Sequence, residues 1–532
     1  MNQVEVKRRR IQLGACILGC FNVWLLGKTI GINGIAYLAV AGEAFLVMWI
    51  LTGRQTADAL GRVLRGRYQK GQYKNASKMK RNIMLQQGIM GLLGAVLFFC
   101  LAGFMAEKLF RVPYSKFLMW LLAPVIFIRA ISNVLLGYFQ GEGAELPSAV
   151  TSVLRQLLFL GFGLLFSRLL LEYGQKVSAL LGQDDFAAMY GGIGVGIAIL
   201  VTELLILLFL ILSYKGSRHA ADKRETEGMK VTDSFLVHLR SLYRNMSGKI
   251  LFGLLESLFL WMGCILYQKS FVENTAVISY GSYIGEYLVL GSAIVLAISI
   301  LLMGIITRVV VSVRKDEYRY AKEIFQSGLR IAMIHALFFT VYVAIMAVQL
   351  CGIFGVGDKT TFIAMLRNGS VLIVFAVLAF YFSRLLLLLG KEYFAYICAG
   401  GGDIVFIISL VILLNMDGMG IMALVYAGMM GAGVYTLISA VMVCRLLRTG
   451  VDWLRTLAVP LGSVCLTGLL CFFLGKILTP HLGNLVAVLV CLVLGSMVYW
   501  AALLLLRSFR EQELDMIPGG RIIRAIGQIL HV

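Results

Sequence analysis

Apolar residues run along this chain in long blocks separated by short polar or basic intervals. Fourteen blocks stand out: 11–29, 35–52, 83–105, 117–139, 148–167, 190–213, 250–268, 279–307, 331–350, 361–383, 392–414, 419–443, 457–475 and 482–506. Each is close to the ~20 residues that an apolar helix needs to cross a bilayer. The pattern therefore predicts an all-α, polytopic membrane protein of about 14 transmembrane helices. Residues 1–213 supply helices one to six of an N-terminal lobe, and 214–249 form a polar linker. Residues 250–445 supply helices seven to twelve of a C-terminal lobe, and 446–507 two extra helices. The tail 508–532 mixes Ile517, Ile522, Ile523, Ile526 and Leu530 with Arg521 and Arg524, the pattern of a helix lying on the membrane surface.

Charges inside these blocks need a reason, because one at a helix centre costs ~2.5–3.5 kcal/mol or more. Glu43 closes the stretch Tyr37-Leu38-Ala39-Val40-Ala41-Gly42-Glu43, and the pattern Tyr-x4-Gly-Glu returns as Tyr280-Gly281-Ser282-Tyr283-Ile284-Gly285-Glu286. The first copy is followed by Lys70-Gly71-Gln72-Tyr73-Lys74-Asn75-Ala76, the second by Lys315-Asp316-Glu317-Tyr318-Arg319-Tyr320-Ala321. The chain thus reads as two related halves. Six spans separate equivalent points, so the repeats are parallel, and a substrate path between such halves is one of the standard transporter plans. Glu43 and Glu286 are candidates for that path; a structural ion pair or a shared proton is the alternative.

Other polar positions fall into stripes. Lys28-Thr29-Ile30-Gly31-Ile32-Asn33-Gly34 reads as a tight outer turn whose glycines permit positive φ. Pro124 is expected to kink span four, where Arg129, Asn133 and Gln140 share a face. Span five continues with Ser148, Thr151, Ser152 and Arg155. Such stripes face a wet cavity or each other, not lipid. A guanidinium matches phosphate bidentately, which makes Arg129 and Arg155 candidate phosphate ligands; pairing with Glu203 or another intramembrane acid is the alternative. The second half adds Glu256 and Ser257 in span seven and Asp403 in span eleven.

Composition agrees with the pattern: 60% of 532 residues are hydrophobic and 14% charged. The net charge of +20 raises nucleic acid as a partner, but its placement argues against that. With the N-terminus inside, 36 of the 48 Lys and Arg fall on the cytoplasmic side, 10 outside or toward the outer ends of blocks (Lys28 and Arg367 among them), and two, Arg129 and Arg155, deeper within spans. This is the positive-inside asymmetry, and it places both termini in the cytoplasm. Met1–Arg10 is polar and basic with no small-residue cleavage site after it, so targeting is expected to rest on the first span. After span two, Arg54, Arg62, Arg65 and Arg67 alternate with Leu60, Val63 and Leu64, a segment expected at the headgroups with its basic side chains toward anionic lipids. Ten cysteines without a CxxC pair and five scattered histidines suggest neither metal nor cofactor; the cysteines read as buried small hydrophobes.

The turn Gly137-Tyr138-Phe139-Gln140-Gly141, followed by Pro147-Ser148-Ala149 and Gln156, resembles a motif of the stage V sporulation protein B and lipid II flippase group. Lys28-x2-Gly31-x2-Gly34-x2-Tyr37 and Lys70–Ala76 resemble two loops of the same group, which belongs to the multidrug/oligosaccharidyl-lipid/polysaccharide exporter superfamily. The close motifs lie in residues 28–156; the second half matches in its hydropathy layout. The resemblance implies two six-helix lobes that alternate between inward- and outward-open states. It also implies cavity cations for a substrate pyrophosphate, here Lys28, Arg129 and Arg155. Glu256 with Asp403 resembles, in helix placement, the acidic cation site of some superfamily members. The chain departs from relatives in having no proline between Pro147 and Pro460, and in its paired membrane glutamates.

Three function classes compete. A flippase in the cell membrane would carry a lipid-linked glycan, a cell-wall or polysaccharide precursor, with glycosyltransferases as pathway partners. A proton- or sodium-coupled multidrug exporter would suit the buried acids. A membrane enzyme needs a sizeable segment outside the membrane, and the longest outer interval, around 168–189, offers only Asp184 and Asp185 as an acidic pair, with Glu172 apart from them. The first class accounts for most of the pattern.

Overall fold

In a computed structural model, residues 3–183, 185–227, 233–271 and 273–506 are described; the tail 508–532 lies outside them, as does part of the 214–249 interval. The described residues form helices joined by short turns, with no strand. Eleven helices are long and apolar enough to cross a membrane, or up to twelve if Lys359–Gly369 and Leu372–Leu388, bent by 52°, count as one span. Two of the eleven are too long for a single crossing. Val6–Gln69 has 64 residues and Leu454–Leu505 has 52; at ~1.5 Å per residue each exceeds twice a ~30 Å hydrocarbon core. Each breaks at a glycine, Gly31 (φ 73°, ψ 175°) and Gly483 (φ 76°, ψ 169°), in backbone regions that residues with a side chain rarely enter. Those breaks fall between spans one and two and between thirteen and fourteen of the sequence reading, which is where the two counts diverge. The helix Ser115–Glu142 runs on through Pro124.

Packing gathers the chain into two compact units, Lys7–Gly285 and Glu286–Val532, with Met1–Val6 counted beside the latter. Residues 250–285, expected in the second lobe, thus gather with the first unit. In Lys7–Gly285 the helix Ser115–Glu142 packs on Thr56–Gln69, Tyr73–Phe104 and Asp185–Glu227, and Leu146–Leu181 lies along Asp185–Glu227. In the other unit Tyr318–Ile345 touches Val289–Arg314, Leu372–Leu388 and Val459–Leu505, and Glu392–Leu414 packs on Met422–Leu447. On Tyr73–Phe104, Leu85, Ile89, Leu92, Leu93 and Val96 are exposed at helical spacing. A contiguous apolar stripe of that kind is a lipid-facing surface.

The Gly-Tyr-Phe-Gln-Gly stretch is explained by close helix packing. A Cβ on Gly137 would lie 3.0 Å from the Ala57 carbonyl oxygen, one on Gly141 2.6 Å from Leu64 Cβ, and one on Gly61 2.9 Å from Gln140 Cβ. Small residues four apart let two backbones approach, and here they seat Thr56–Gln69 on the end of Ser115–Glu142. Tyr138 gives a ring face to Lys80, whose Nζ lies 4.6 Å from both the Tyr138 and Tyr214 rings.

That seating corrects the expectation for the basic segment. Leu60 and Leu64 are fully buried in the core with Ala76, Met79 and Phe139. Of its cations, Arg65 and Arg67 meet protein acids, whereas Arg54 and Arg62 stay exposed. Arg65 Nη2 donates to the Gln140 carbonyl and to Glu145 Oε1, both at 2.7 Å. Arg67 pairs with Asp233 at 2.8 Å, and Arg62 Nη2 reaches the Asn245 carbonyl at 3.4 Å. Glu145, 7% exposed, also holds buried Arg8 at 3.1 Å.

The internal repeat is visible in the turns. Gly71 (φ 69°) and Asp316 (φ 61°) are left-handed at matching positions. Gln72 N donates to Arg67 O and Glu317 N to Ser312 O, both at 3.0 Å, and Ala76 and Ala321 are both fully buried. A second pair matches: Gly143 (φ 84°) with Gly390 (φ 74°), followed by Ala144 N to Phe139 O and Lys391 N to Leu386 O, both at 2.9 Å. One difference is informative. Asn75 donates to Asp233 Oδ2 (2.9 Å), accepts from Asp233 N (3.1 Å) and meets His238 Nε2 at 2.9 Å. It thereby ties residues 233–238 to the first turn. Its counterpart in the second copy is the exposed Tyr320.

Candidate functional site

The two arginines of the sequence stripes come together on one carboxylate. Arg129, from Ser115–Glu142, donates through Nε (2.9 Å) and Nη2 (2.7 Å) to Glu203 Oε1. Arg155, from Leu146–Leu181, lies with Nε 2.8 Å from Glu203 Oε1 and donates through Nη2 to Oε2 at 3.3 Å. Glu203, from Asp185–Glu227, is 1% exposed, whereas the Arg129 and Arg155 side chains keep 17% and 25% exposure. The pairing with Glu203, weighed from sequence only as the alternative, is therefore present. Two guanidiniums against one carboxylate leave one positive charge over. Arg129 also stacks over the aromatic pair Phe45 and Trp49, 5.1 and 4.6 Å from their ring centroids. Sequence reading missed those rings; their i, i+4 spacing beside Glu43 was the available signal.

Glu43 and Glu286 are both buried, at 7% and 3% exposure. Glu43 Oε1 accepts from the Tyr280 hydroxyl at 2.5 Å, so the tyrosine of the second motif copy caps the acid of the first. Glu286 Oε1 accepts from the successive backbone N–H groups of Val356 and Gly357, the latter at 2.9 Å. It holds the turn before Asp358, which caps the helix Lys359–Gly369. Each acid thus has a partner inside its own unit, and the two copies of one motif use different donors. Glu286 lies within Tyr283–Leu288, a turn of π-helix, whereas Glu43 sits in regular helix twelve residues after the Gly31 break. Such bulges recur at functional sites.

The other candidates are dispersed. Lys28 is exposed and sits three residues before the Gly31 break. Glu256 is exposed on Phe235–Ser270 in the first unit, and Asp403 is half-buried on Glu392–Leu414 in the second. Among the described residues no group of three or more His, Cys, Asp or Glu side chains gathers for a metal. The cysteine expectation needs correction: Cys264, Cys351, Cys398, Cys471 and Cys491 are buried, but Cys16, Cys100 and Cys465 are exposed.

No protein-family model matches the chain. Stage V sporulation protein B of Bacillus subtilis (strain 168) is 25% identical over 199 residues, covering 37% of this chain and 36% of that protein's length. Among solved structures, an inward-facing multidrug resistance MATE family transporter of the MOP superfamily aligns with TM-score 0.61, 16% identity and coverage of 84% of this chain and all of that one. The lipid II flippase MurJ, in an inward closed conformation, aligns with TM-score 0.63, 12% identity and coverage of 93% and 98%. The chain thus shares the fold of these two solved transporters, and it spans about a third of the length of the curated relative it matches. Its long apolar helices make it a multi-pass, all-α membrane protein, and the two solved neighbours are named as a transporter and a flippase. The structural likenesses establish the fold; cargo has to be argued from this chain's own residues.

Proposed function

We propose that this membrane protein flips a lipid-linked oligosaccharide, a cell-wall or polysaccharide precursor, from the inner to the outer leaflet of the cell membrane by alternating access. The observation that carries the reading is the Arg129–Glu203–Arg155 cluster, with its surplus positive charge and its partly exposed guanidiniums. A buried ion cluster that served structure alone would be balanced, because an uncompensated charge at membrane depth is costly. A phosphate or pyrophosphate group supplies the missing anion and matches the guanidinium fork. The names of a curated relative and a structural neighbour, a sporulation protein and a lipid II flippase, support a glycan-linked cargo. In this reading Lys28 adds attraction along the path. The basic loops keep both termini and residues 214–249 cytoplasmic, at an anionic leaflet and near glycosyltransferases that make the cargo. Glu43 and Glu286 border the path at repeat-related positions.

A second reading, coupled export of cationic drugs, draws on the exposed carboxylate Glu256 in an apolar helix and on Asp403 as a coupling partner. One experiment separates the two. Purified protein in proteoliposomes is given a fluorescent polyprenyl-pyrophosphate glycan or a fluorescent cationic drug, and leaflet exchange or uptake is followed. The flippase reading expects exchange of the first that Arg155→Gln lowers on the order of tenfold or more and Glu256→Gln spares. Transport of the drug alone, sensitive to Glu256→Gln, overturns it.

A further inference from the structure

The hairpin Leu454–Leu505, whose two legs part at Gly483, sets two buried thiols face to face. Cys471 on the first leg is 2% exposed, and Cys491 on the second is fully buried. Cys471 Sγ donates to the Cys491 carbonyl at 3.6 Å, and Cys491 Sγ donates to the Cys471 carbonyl at 3.9 Å. Each sulfur thus reaches the backbone of the other residue, which requires the two side chains to share one gap between the legs. The second leg makes room for them. A Cβ on Gly495, one turn beyond Cys491, would lie 2.7 Å from Cys471 Sγ. Tyr342, from Tyr318–Ile345, donates to the Val488 carbonyl at 2.5 Å and holds the second leg one turn before Cys491.

An approach to the pair is also present. Between Tyr318–Ile345 and the first leg runs an apolar groove whose walls include Phe338, Val341, Tyr342, Val464 and Cys471. It lies within stretches long and apolar enough to cross a membrane, where a charge is costly to bring. A charged oxidant or reductant is therefore kept out, and an uncharged, lipid-soluble one is admitted. We propose that Cys471 and Cys491 form an oxidisable dithiol site that takes a lipid-soluble quinone as its oxidant. The two S–H bonds break and one S–S bond forms between the sulfurs. Both electrons and both protons pass to the quinone, which leaves as the hydroquinone. The disulfide then fixes the two legs of the hairpin to each other at membrane depth.

The test uses the wild-type chain, with all ten of its cysteines, in liposomes. Reduced, desalted protein is incubated with or without decylubiquinone. Remaining thiols are then blocked with N-ethylmaleimide in denaturant, and the cysteine peptides are mapped by mass spectrometry. The expected product is a joined Cys471–Cys491 peptide pair that needs the quinone and that dithiothreitol separates. Its yield should be at least about tenfold that of any other cysteine pair, because disulfide geometry excludes distant sulfurs. Cys398, buried in the same unit, should stay a thiol. Hydroquinone should appear in equal amount to the disulfide, and Cys491→Ser should abolish both. Recovery of Cys471 and Cys491 as maleimide adducts after quinone treatment overturns the site. So does a joined pair that forms equally without quinone, or one no more abundant than in protein unfolded before the quinone is added. Should Cys491→Ser fail to fold, the wild-type mapping decides alone.

Discussion

The hydroxyl of Tyr280 donates to the carboxylate of Glu43 across 2.5 Å and 237 residues of chain, joining the tyrosine of one repeat copy to the acid of the other. Burial removes water as a competitor, so the pair is worth more than an exposed one: about 1.5–3 kcal/mol for a hydrogen bond to a charged group. Tyr280→Phe and Glu43→Ala should each lower thermal stability in a double-mutant cycle, with a coupling of at least ~1 kcal/mol. Glu43→Gln should cost less, because the amide oxygen still accepts. Additive losses would mean the bond contributes nothing of its own.

Arg155 and Arg129 should behave differently although they share Glu203. Arg155→Gln leaves Glu203 with the two bonds from Arg129 and removes only the surplus charge. Stability should change little, while glycan-lipid exchange falls on the order of tenfold or more, equivalent to ~1.5–3 kcal/mol. Arg129→Gln also loses the Phe45 and Trp49 rings. Its stability should drop clearly, and Arg129→Lys should not restore function because lysine lacks the fork. Thermal melting and exchange measured on the same preparations decide this.

The Gly137–Gly141 seam predicts a rescue. Gly141→Val places methyls where Leu64 Cβ already lies 2.6 Å from the first added carbon. Overpacking of this kind costs about 1–3 kcal/mol. Leu64→Ala should recover part of the loss in the double variant. A double variant less stable than either single one would show that the two side chains do not meet.

Asp233 gives a pH signature. The hydrogen bond from Asn75, then the nearby Arg67 guanidinium, hold its carboxyl below the usual aspartate range. Its folded pKa is depressed, so its contribution is present above the unfolded value of ~3.9 and is lost as pH falls through the folded one. Melting temperature should therefore fall more steeply below about pH 4 in the wild type than in Asp233→Asn. Identical acid slopes would remove this group from the linkage.

Glu286 tests loop anchoring. Glu286→Gln retains an oxygen for the Val356 and Gly357 N–H groups, whereas Glu286→Ala strands two buried donors. The alanine variant should exchange the 355–358 amides faster in hydrogen-exchange measurements, and the glutamine variant should not.

Local chemistry along the chain was enough for the all-helical membrane class, the doubling and the turns. Twenty apolar residues cannot be placed otherwise, and Gly31, Gly71 and Gly143 take backbone angles that their neighbours cannot. The same logic found Glu43, Glu286, Arg129 and Arg155, because a charge in an apolar block needs a partner. The partner itself was out of reach. Glu203 lies 48 residues beyond Arg155, Tyr280 lies 237 beyond Glu43, and the N–H groups that hold Glu286 carry no side-chain signature at all. Which way the basic helix Thr56–Gln69 faces was equally hidden: its leucines suit lipid or protein alike, and only the glycine seam at Gly137 and Gly141 decided for protein. The sequence determined which residues must be compensated within the membrane; tertiary structure decided by what, because compensation acts through space, at a few ångströms, between segments far apart in the chain.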